Sequence, residues 1–228
     1  MSTHPPQDDA QHEALLSRWN ALLHHAQQGG TPDGEAPDPA PYGEDLLARW
    51  SEPQRRYHTP AHLLAVLDRV DELAPHAGPG LDPVAVLLAA WFHDAVYRPD
   101  RSENEERSAR LAERALPEAG VPAATVSEVA RLVRLTATHD PAPGDSSGEV
   151  LCDADLAVLA GGPEAYAHYA AGIREEYAFV PDDAFREGRT RVLRQLLALE
   201  PLFRTEYAQS AWERTARHNM HTELELLT

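Results

Sequence analysis

Apolar residues recur along most of the chain at intervals of three and four, the spacing that places them on one face of an α-helix. The first such stretch, Gln11 to Gln28, carries Leu15, Leu16, Trp19, Leu22 and Leu23. No stretch of useful length alternates apolar and polar residues, which is the pattern of a half-buried strand. The sequence therefore predicts an all-α fold, a single irregular helical bundle.

Two helix starts have a clear local signature. Thr59-Pro60 and Asp82-Pro83 each place a capping residue before a proline suited to the first helical turn. The helix after Thr59 is expected to run to about residue 73, and the helix after Asp82 is the most apolar of the chain. Further helices are predicted at about 103–116, 123–138, 150–160, 163–178, 183–199 and 208–227.

The N-terminal part is expected to differ from the rest. Residues 1–10 are polar and acidic, which predicts disorder, and Gly29 to Pro41 is rich in Gly and Pro, which predicts a long loop. We therefore divide the chain into residues 1–42, a flexible N-terminus with one helix and a loop, and a main domain over residues 43–228. Within that domain the core is expected at about 55–160, followed by C-terminal helices over 163–227.

Composition narrows the functional classes. The 228 residues carry a formal net charge of -17, and a surface this acidic repels nucleic-acid backbones, so duplex binding is not expected. No apolar run approaches the ~20 residues of a membrane span. The N-terminus does not resemble a targeting peptide, and the single cysteine, Cys152, allows no internal disulfide. A cytoplasmic protein is expected, and the sequence permits a homodimer.

Three short stretches carry candidate metal ligands. His93-Asp94 ends the most apolar helix, where an ionised carboxylate is costly unless it is paired or binds a metal. His58 and His62 flank the start of the preceding helix, and imidazole is the commonest protein metal ligand. Asp153 and Asp155 stand in a third apolar helix. Residues i and i+2 lie on nearly opposite faces, so one of the two is expected to reach a metal.

The order of these stretches along the chain is similar to that of a known protein family. Over about residues 50–225 the chain resembles the HD superfamily of metal-dependent phosphohydrolases, and in particular a bacterial family of predicted phosphohydrolases of similar length. The matching segments are Arg55-Arg56-Tyr57-His58-Thr59-Pro60-Ala61-His62, Trp91-Phe92-His93-Asp94-Ala95-Val96-Tyr97, Asn104-Glu105-Glu106-Arg107-Ser108-Ala109, Asp153-Ala154-Asp155-Leu156 and Ile173-Arg174-Glu175-Glu176-Tyr177. The resemblance implies an HD-type helical fold and a bound metal.

The resemblance also implies roles for individual residues. Cyclic-nucleotide phosphodiesterases share the HD core, and their Tyr-His-Asn-x-x-His stretch supplies a proton donor first and a metal ligand second. The similar segment here suggests His58 as general acid and His62 as ligand. The Ala-Asp-Leu that ends their metal set matches Ala154-Asp155-Leu156, which favours Asp155 over Asp153. The expected ligands are therefore His62, His93, Asp94 and Asp155, with Asp153 as the alternative.

This ligand set indicates the chemistry. Mixed nitrogen and oxygen ligands without thiolate suit Mn first, with Fe, Co, Ni, Mg and Zn as alternatives. Such a metal makes hydroxide available near neutral pH and polarises a phosphoryl oxygen. His58 or Glu105 would protonate the leaving oxygen. Because many HD proteins carry a second-metal His where Asn104 and Glu105 stand, one metal is expected rather than two.

A phosphate group also needs positive charge. Arg55, Arg174 and Arg189 are candidate contacts, since a guanidinium binds phosphate in a bidentate manner, although Arg174 and Arg189 also suit ordinary ion pairs with neighbouring acids. His139 closes a predicted helix. It is a candidate phosphate contact, second-metal ligand or cationic helix cap.

The sequence thus predicts hydrolysis of a phosphate ester or anhydride in a nucleotide or another small phosphorylated metabolite. Two alternatives stay open. The HD core also hosts di-iron oxygenases, which need a fuller second set of ligands, and a non-catalytic binding module would retain the metal without turnover.

Overall fold

The computed structural model describes residues 6–28 and 36–227. Over these residues the protein is all-α, with no strand and eleven α-helices, which confirms the predicted fold class. They are α1 (Pro6–Gln27), α2 (Ala40–Trp50), α3 (Pro60–Leu73), α4 (Pro83–Phe92), α5 (Asn104–Glu118), α6 (Ala123–Leu135), α7 (Ser146–Leu156), α8 (Pro163–Glu176), α9 (Asp182–Leu197), α10 (Glu206–Ala211) and α11 (Glu213–Leu227). Short 3-10 turns follow α3 and α7, at Ala74–His76 and Ala157–Ala160.

Helix α4 forms the centre of the bundle. Seven of its ten residues are buried, and it packs against α1, α3, α5, α6 and α7. Its start is built as the sequence predicts, because the Asp82 side chain accepts a hydrogen bond from the backbone N–H of Ala85 and Pro83 occupies the first turn. Helix α3 likewise begins at Pro60, although the Thr59 side chain makes no capping hydrogen bond.

The N-terminal part of the chain belongs to the same core. Leu15, Trp19 and Leu23 of α1 are fully buried, and α1 packs against α2, α3 and α4. The expected division after residue 42 falls inside α2, so α1 and α2 are layers of the bundle and not a separate appendage. The prediction of disorder for residues 1–10 is wrong from Pro6 onward, where α1 begins; residues 1–5 and 29–35 lie outside the described residues.

Helix α2 itself is absent from the sequence prediction. Within the expected loop over 29–41, Ala40 and Pro41 belong to α2, because Pro41 occupies the first turn of this helix instead of interrupting one. Gly43 then lets α2 approach α1 closely, since a Cβ at this position would lie 2.5 Å from Cδ1 of Trp19.

The C-terminal helices cover one side of the core. The expected helix over 208–227 is wrong as a single element: α10 and α11 are separated at Trp212, whose ring packs edge-on against Phe203 and Tyr207. Helix α11 packs against α9 and against the 3-10 turn Ala157–Ala160, while α8 also contacts that turn. This arrangement leaves a cavity between the C-terminal end of α7 and the pair α8 and α9.

Candidate metal centre

Three helices bring the predicted ligands together. His62 lies in the first turn of α3, His93 and Asp94 follow directly after α4, and Asp155 lies in the last turn of α7. His62 is 7% exposed and His93 is 1% exposed, so both imidazoles are surrounded by protein atoms and not by solvent.

The side-chain atoms of these residues converge. Nε2 of His62 lies 3.1 Å from Oδ1 of Asp155, and Nε2 of His93 lies 3.5 Å from the same oxygen. Asp94 lies next to these residues, with its Oδ2 3.3 Å from Nε2 of His93, but it is outside the group whose ligand atoms all lie close together. The candidate ligand atoms of His62, His93 and Asp155 all lie within 4.8 Å of one another, so these three residues could hold a metal ion.

The orientation of the imidazoles fits a metal better than a set of hydrogen bonds. Nδ1 of His93 donates to the backbone carbonyl of Ala90 at 2.8 Å, which leaves Nε2 as the free acceptor that a metal needs. Nε2 of His62 and of His93 are both buried and have no hydrogen-bond partner, in spite of the nearby carboxylates. Two buried nitrogens without a hydrogen-bond partner, both close to the Asp155 carboxylate, are consistent with a site that could hold a metal ion.

Electrostatics favour the ligand forms of two of these groups. Burial lowers the pKa of His62, which favours the neutral imidazole that binds metals. Burial by itself would raise the pKa of Asp155, but His93, His139 and His62 reverse this effect and hold that pKa well below its usual value. For His93, burial lowers the pKa and the carboxylates of Asp94 and Asp155 raise it, with the carboxylates prevailing.

Asp153 faces away from this cluster. It is fully buried, and its two oxygens accept hydrogen bonds from the backbone N–H of Arg204, the backbone N–H of Thr205 and the hydroxyl of Thr205, each at 2.7 Å. Asp153 therefore anchors the segment that leads into α10. Asp155 is the acid of α7 that lies beside the histidines.

A second cluster surrounds His58. Nδ1 of His58 lies 2.7 Å from Oε2 of Glu176, and Nε2 lies 3.8 Å from Oδ2 of Asp94. The same Glu176 oxygen accepts from the Tyr97 hydroxyl at 2.9 Å, and the Tyr97 ring lies 4.1 Å from the His58 ring between centroids. His58 is thus held between the buried Glu176 and Asp94 of the candidate metal centre.

Glu176 is a buried neighbour of the candidate site to which the sequence analysis assigned no role, although it belongs to the matching segment Ile173 to Tyr177. Its Oε1 accepts the consecutive backbone N–H groups of Arg56, Tyr57 and His58, at 2.7, 2.8 and 2.9 Å. Burial raises the pKa of Glu176, but the hydrogen bond from His58 and the backbone donors lower it to about 2. A signal was present, because Glu176 follows Ile173 by three residues on the buried face of α8.

The predicted arginine contacts are already engaged by the protein. The fully buried Arg55 side chain donates to the carbonyl oxygens of His58 and Ala95 and contacts Glu52. Arg174 donates to Asp182 and to carbonyl oxygens that follow α8. Arg189 forms a bidentate pair with Glu223, with N–O distances of 2.7 and 3.0 Å. Of the three, Arg189 alone lines the cavity beside the metal cluster.

Glu105 and His139 lie at the mouth of the site. Both line the cavity, and Nε2 of His139 lies 2.8 Å from Oδ2 of Asp155. His139 follows the end of α6 with a φ of 51°, a left-handed conformation that is uncommon outside glycine. Asn104, the neighbour of Glu105, exchanges hydrogen bonds with the backbone of Arg98, so its amide is occupied in shaping a loop.

The cavity itself has a volume of about 840 Å³. His58, His93, Asp94 and Asp155 lie at one end, and the walls continue between α8 and α9. This volume lies in the range of pockets that bind small organic ligands, and it far exceeds the space that an inorganic phosphate needs.

Comparison with protein-family models, with curated proteins and with solved structures finds no significant match. Within the part of the chain that the structure describes, no helix has both the length and the apolar character required to cross a bilayer.

Proposed function

We propose that this chain binds one divalent metal ion through His62, His93, Asp94 and Asp155 and hydrolyses a phosphate ester in the adjoining cavity. The observation that carries the proposal is the pair of buried, unpartnered Nε2 atoms of His62 and His93 that face the Asp155 carboxylate. The resemblance to HD phosphohydrolases supports the same reading, and Mn is the first candidate metal.

The metal would supply Lewis acidity, by lowering the pKa of water and polarising a phosphoryl oxygen. Residues of the chain would supply the proton for the leaving oxygen. Nδ1 of His58 is tied to Glu176, so the proton that His58 can transfer resides on Nε2, the nitrogen that faces Asp94. His58 is accordingly the general acid for the leaving oxygen, and Glu176 is its positioning residue.

Glu105 is the alternative proton donor, because it also lines the cavity. His58 is favoured over it by its contacts on both ring nitrogens, which fix its orientation, and by the wall of aromatic rings around it. His139 is proposed to contact the phosphoryl group, since its ring is held by Asp155 beside the proposed ligands.

The test is phosphate release from a panel of phosphate esters and nucleotides by the purified chain, supplied in turn with Mn, Mg, Co and Ni. Wild type should release phosphate with at least one metal, and chelation should abolish this release. His93→Ala should lose both metal and activity. The matched control is His168→Ala, since His168 belongs to α8 but does not line the cavity.

Two results would overturn the proposal. The first is a wild-type chain that binds metal but releases no phosphate from any ester, which would favour a binding module. The second is metal-dependent oxygen uptake without hydrolysis, which would favour an oxygenase.

A further inference from the structure

The cavity beside the metal cluster changes character along its length. The end near the cluster is polar, with His58, Glu105, His139 and Asp140 in its wall. Helix α9, the residues after it and the turn after α7 contribute the apolar wall residues Val158, Phe185, Val192, Leu196 and Leu199, together with the polar Arg189, Arg191 and Gln195. A ligand that extends from the cluster towards α9 therefore meets several hydrocarbon side chains.

The guanidinium groups in the cavity wall are few, and each has a carboxylate partner. Arg189 and Arg191 are its only arginines among the described residues, and they pair with Glu223 and Glu187 respectively. The wall also carries the carboxylates of Glu105 and Asp140, of which Asp140 is paired with Arg204. In a chain with a net charge of -17, this wall offers no free guanidinium to a second or third phosphate group.

Exposed apolar residues are concentrated at the same place. The large hydrophobic side chains that are exposed among the described residues are Phe179, Val192 and Leu226. Val192 lines the cavity, and Phe179 stacks on Tyr177, another wall residue, with ring centroids 6.1 Å apart. Val192 is therefore part of the cavity wall, and Phe179 contacts one residue of that wall.

We propose that the substrate is the ester of a single phosphate group with an uncharged and largely apolar organic group. The phosphate faces the histidine and aspartate cluster, and the organic group lies along α9 against Val192, Leu196 and Leu199. Nucleoside di- and triphosphates are poor ligands, because the wall offers no unpaired guanidinium to their additional charges, which also meet the carboxylate of Glu105. The inference rests on the proposed function for the orientation of the phosphate.

The test measures binding without turnover. Methylphosphonate and hexylphosphonate carry the same charged group, and their carbon–phosphorus bond cannot be hydrolysed as an ester. Calorimetric titration of the full-length protein, as purified and after addition of Mn, compares the two. Each methylene that leaves water strengthens binding by up to about fourfold, so hexylphosphonate should bind at least about tenfold more tightly. Inorganic tripolyphosphate should bind more weakly than hexylphosphonate.

Val192→Gln and Leu226→Gln provide a matched pair of variants. Both residues are exposed, at 45% and 82%, so neither substitution should disturb folding, and only Val192 lines the cavity. Val192→Gln should weaken hexylphosphonate binding about threefold to tenfold and leave methylphosphonate binding unchanged. Leu226→Gln should change neither.

The outcomes separate the inference from the proposed function. Equal affinity for the two phosphonates, absence of binding, or tighter binding of tripolyphosphate would overturn the inference. So would a change in oligomeric state on Val192→Gln without any alkyl-chain dependence, because a second copy of the chain would then cover this wall. Chain-length-dependent binding without hydrolysis of any ester would refute the proposed function alone.

Discussion

Asp153 and Asp155 lie two residues apart on α7, and substitution of each by asparagine should affect a different property of the protein. Asp153 is fully buried and accepts three hydrogen bonds from Arg204 and Thr205, whereas Asp155 contacts His62, His93 and His139. Asparagine keeps the size of each side chain and removes its charge. Asp153→Asn should therefore destabilise the fold, and Asp155→Asn should empty the metal site.

The magnitude at Asp153 follows from its donors. An Asn side chain has one acceptor oxygen, so at least one buried donor of Arg204 or Thr205 is left facing an NH2 group, at a cost of about 1–3 kcal/mol for each orphaned group. We expect a loss of about 2–4 kcal/mol. For a chain of this length that corresponds to a fall in Tm of about 5–15 °C.

Two measurements check the pair. Thermal unfolding by circular dichroism, in the presence of a chelator, gives the change in stability without any contribution from metal. Elemental analysis after gel filtration gives the metal content, which should be about one per chain in wild type and Asp153→Asn and near zero in Asp155→Asn. If Asp153→Asn loses the metal and Asp155→Asn retains it, the assignment of the two faces of α7 is refuted.

Three further predictions concern the acid, its partner and the N-terminal layer. His58→Ala should retain the metal and lose turnover by about a hundredfold or more, whereas His62→Ala should lose both, as metal analysis and rate measurements will show. The pKa of Glu176 is lowered from 4.5 to about 2, so its ionised form stabilises the fold above pH 4.5, by about 3 kcal/mol, and this contribution is lost as the pH falls towards 2. Urea unfolding across this range should show a weaker pH dependence for Glu176→Gln. Gly43→Ala should cost about 1–3 kcal/mol in thermal unfolding, because its new Cβ would clash with Trp19.

Each of these three predictions has an outcome that would contradict it, and the prediction for Gly43→Ala also has a control variant. Wild-type turnover by His58→Ala would remove its assignment as the acid. An unchanged pH dependence in Glu176→Gln would show that another carboxylate accounts for acid unfolding. Gly188→Ala is the control for Gly43→Ala, since a Cβ at Gly188 meets open space within α9 and should be neutral or stabilising; equal effects of the two would argue against close packing of α1 on α2.

Local signals in the sequence account for most of the helices. Both α3 and α4 have a proline in the first turn, and Asp82 also caps α4; such signals need no knowledge of distant neighbours. Helix α2 was missed because Pro41 is compatible with both a loop and a first helical turn. The packing of Leu46, Leu47 and Trp50 into the core resolves that ambiguity.

Some residues of the candidate site could likewise be predicted from local sequence, and others could not. His62, His93 and Asp155 were predicted from short segments and their order, and the structure brings them together. Helix geometry alone left Asp153 and Asp155 equivalent, because the choice depends on which neighbour each face of α7 meets. Glu176 could not be assigned a role, since its partners at residues 56–58 are about 120 residues away in sequence.

That long separation has a consequence for the order in which the site is assembled. During synthesis from the N-terminus, Asp155 emerges before Glu176, so all four proposed ligands are available while the segment Arg56 to His58 still lacks its acceptor. Contacts between such distant residues form late, after the local helices. A nascent or partly folded chain would thus complete the proposed ligand set before Glu176 can orient His58, and the proposed turnover would begin only after α8 docks.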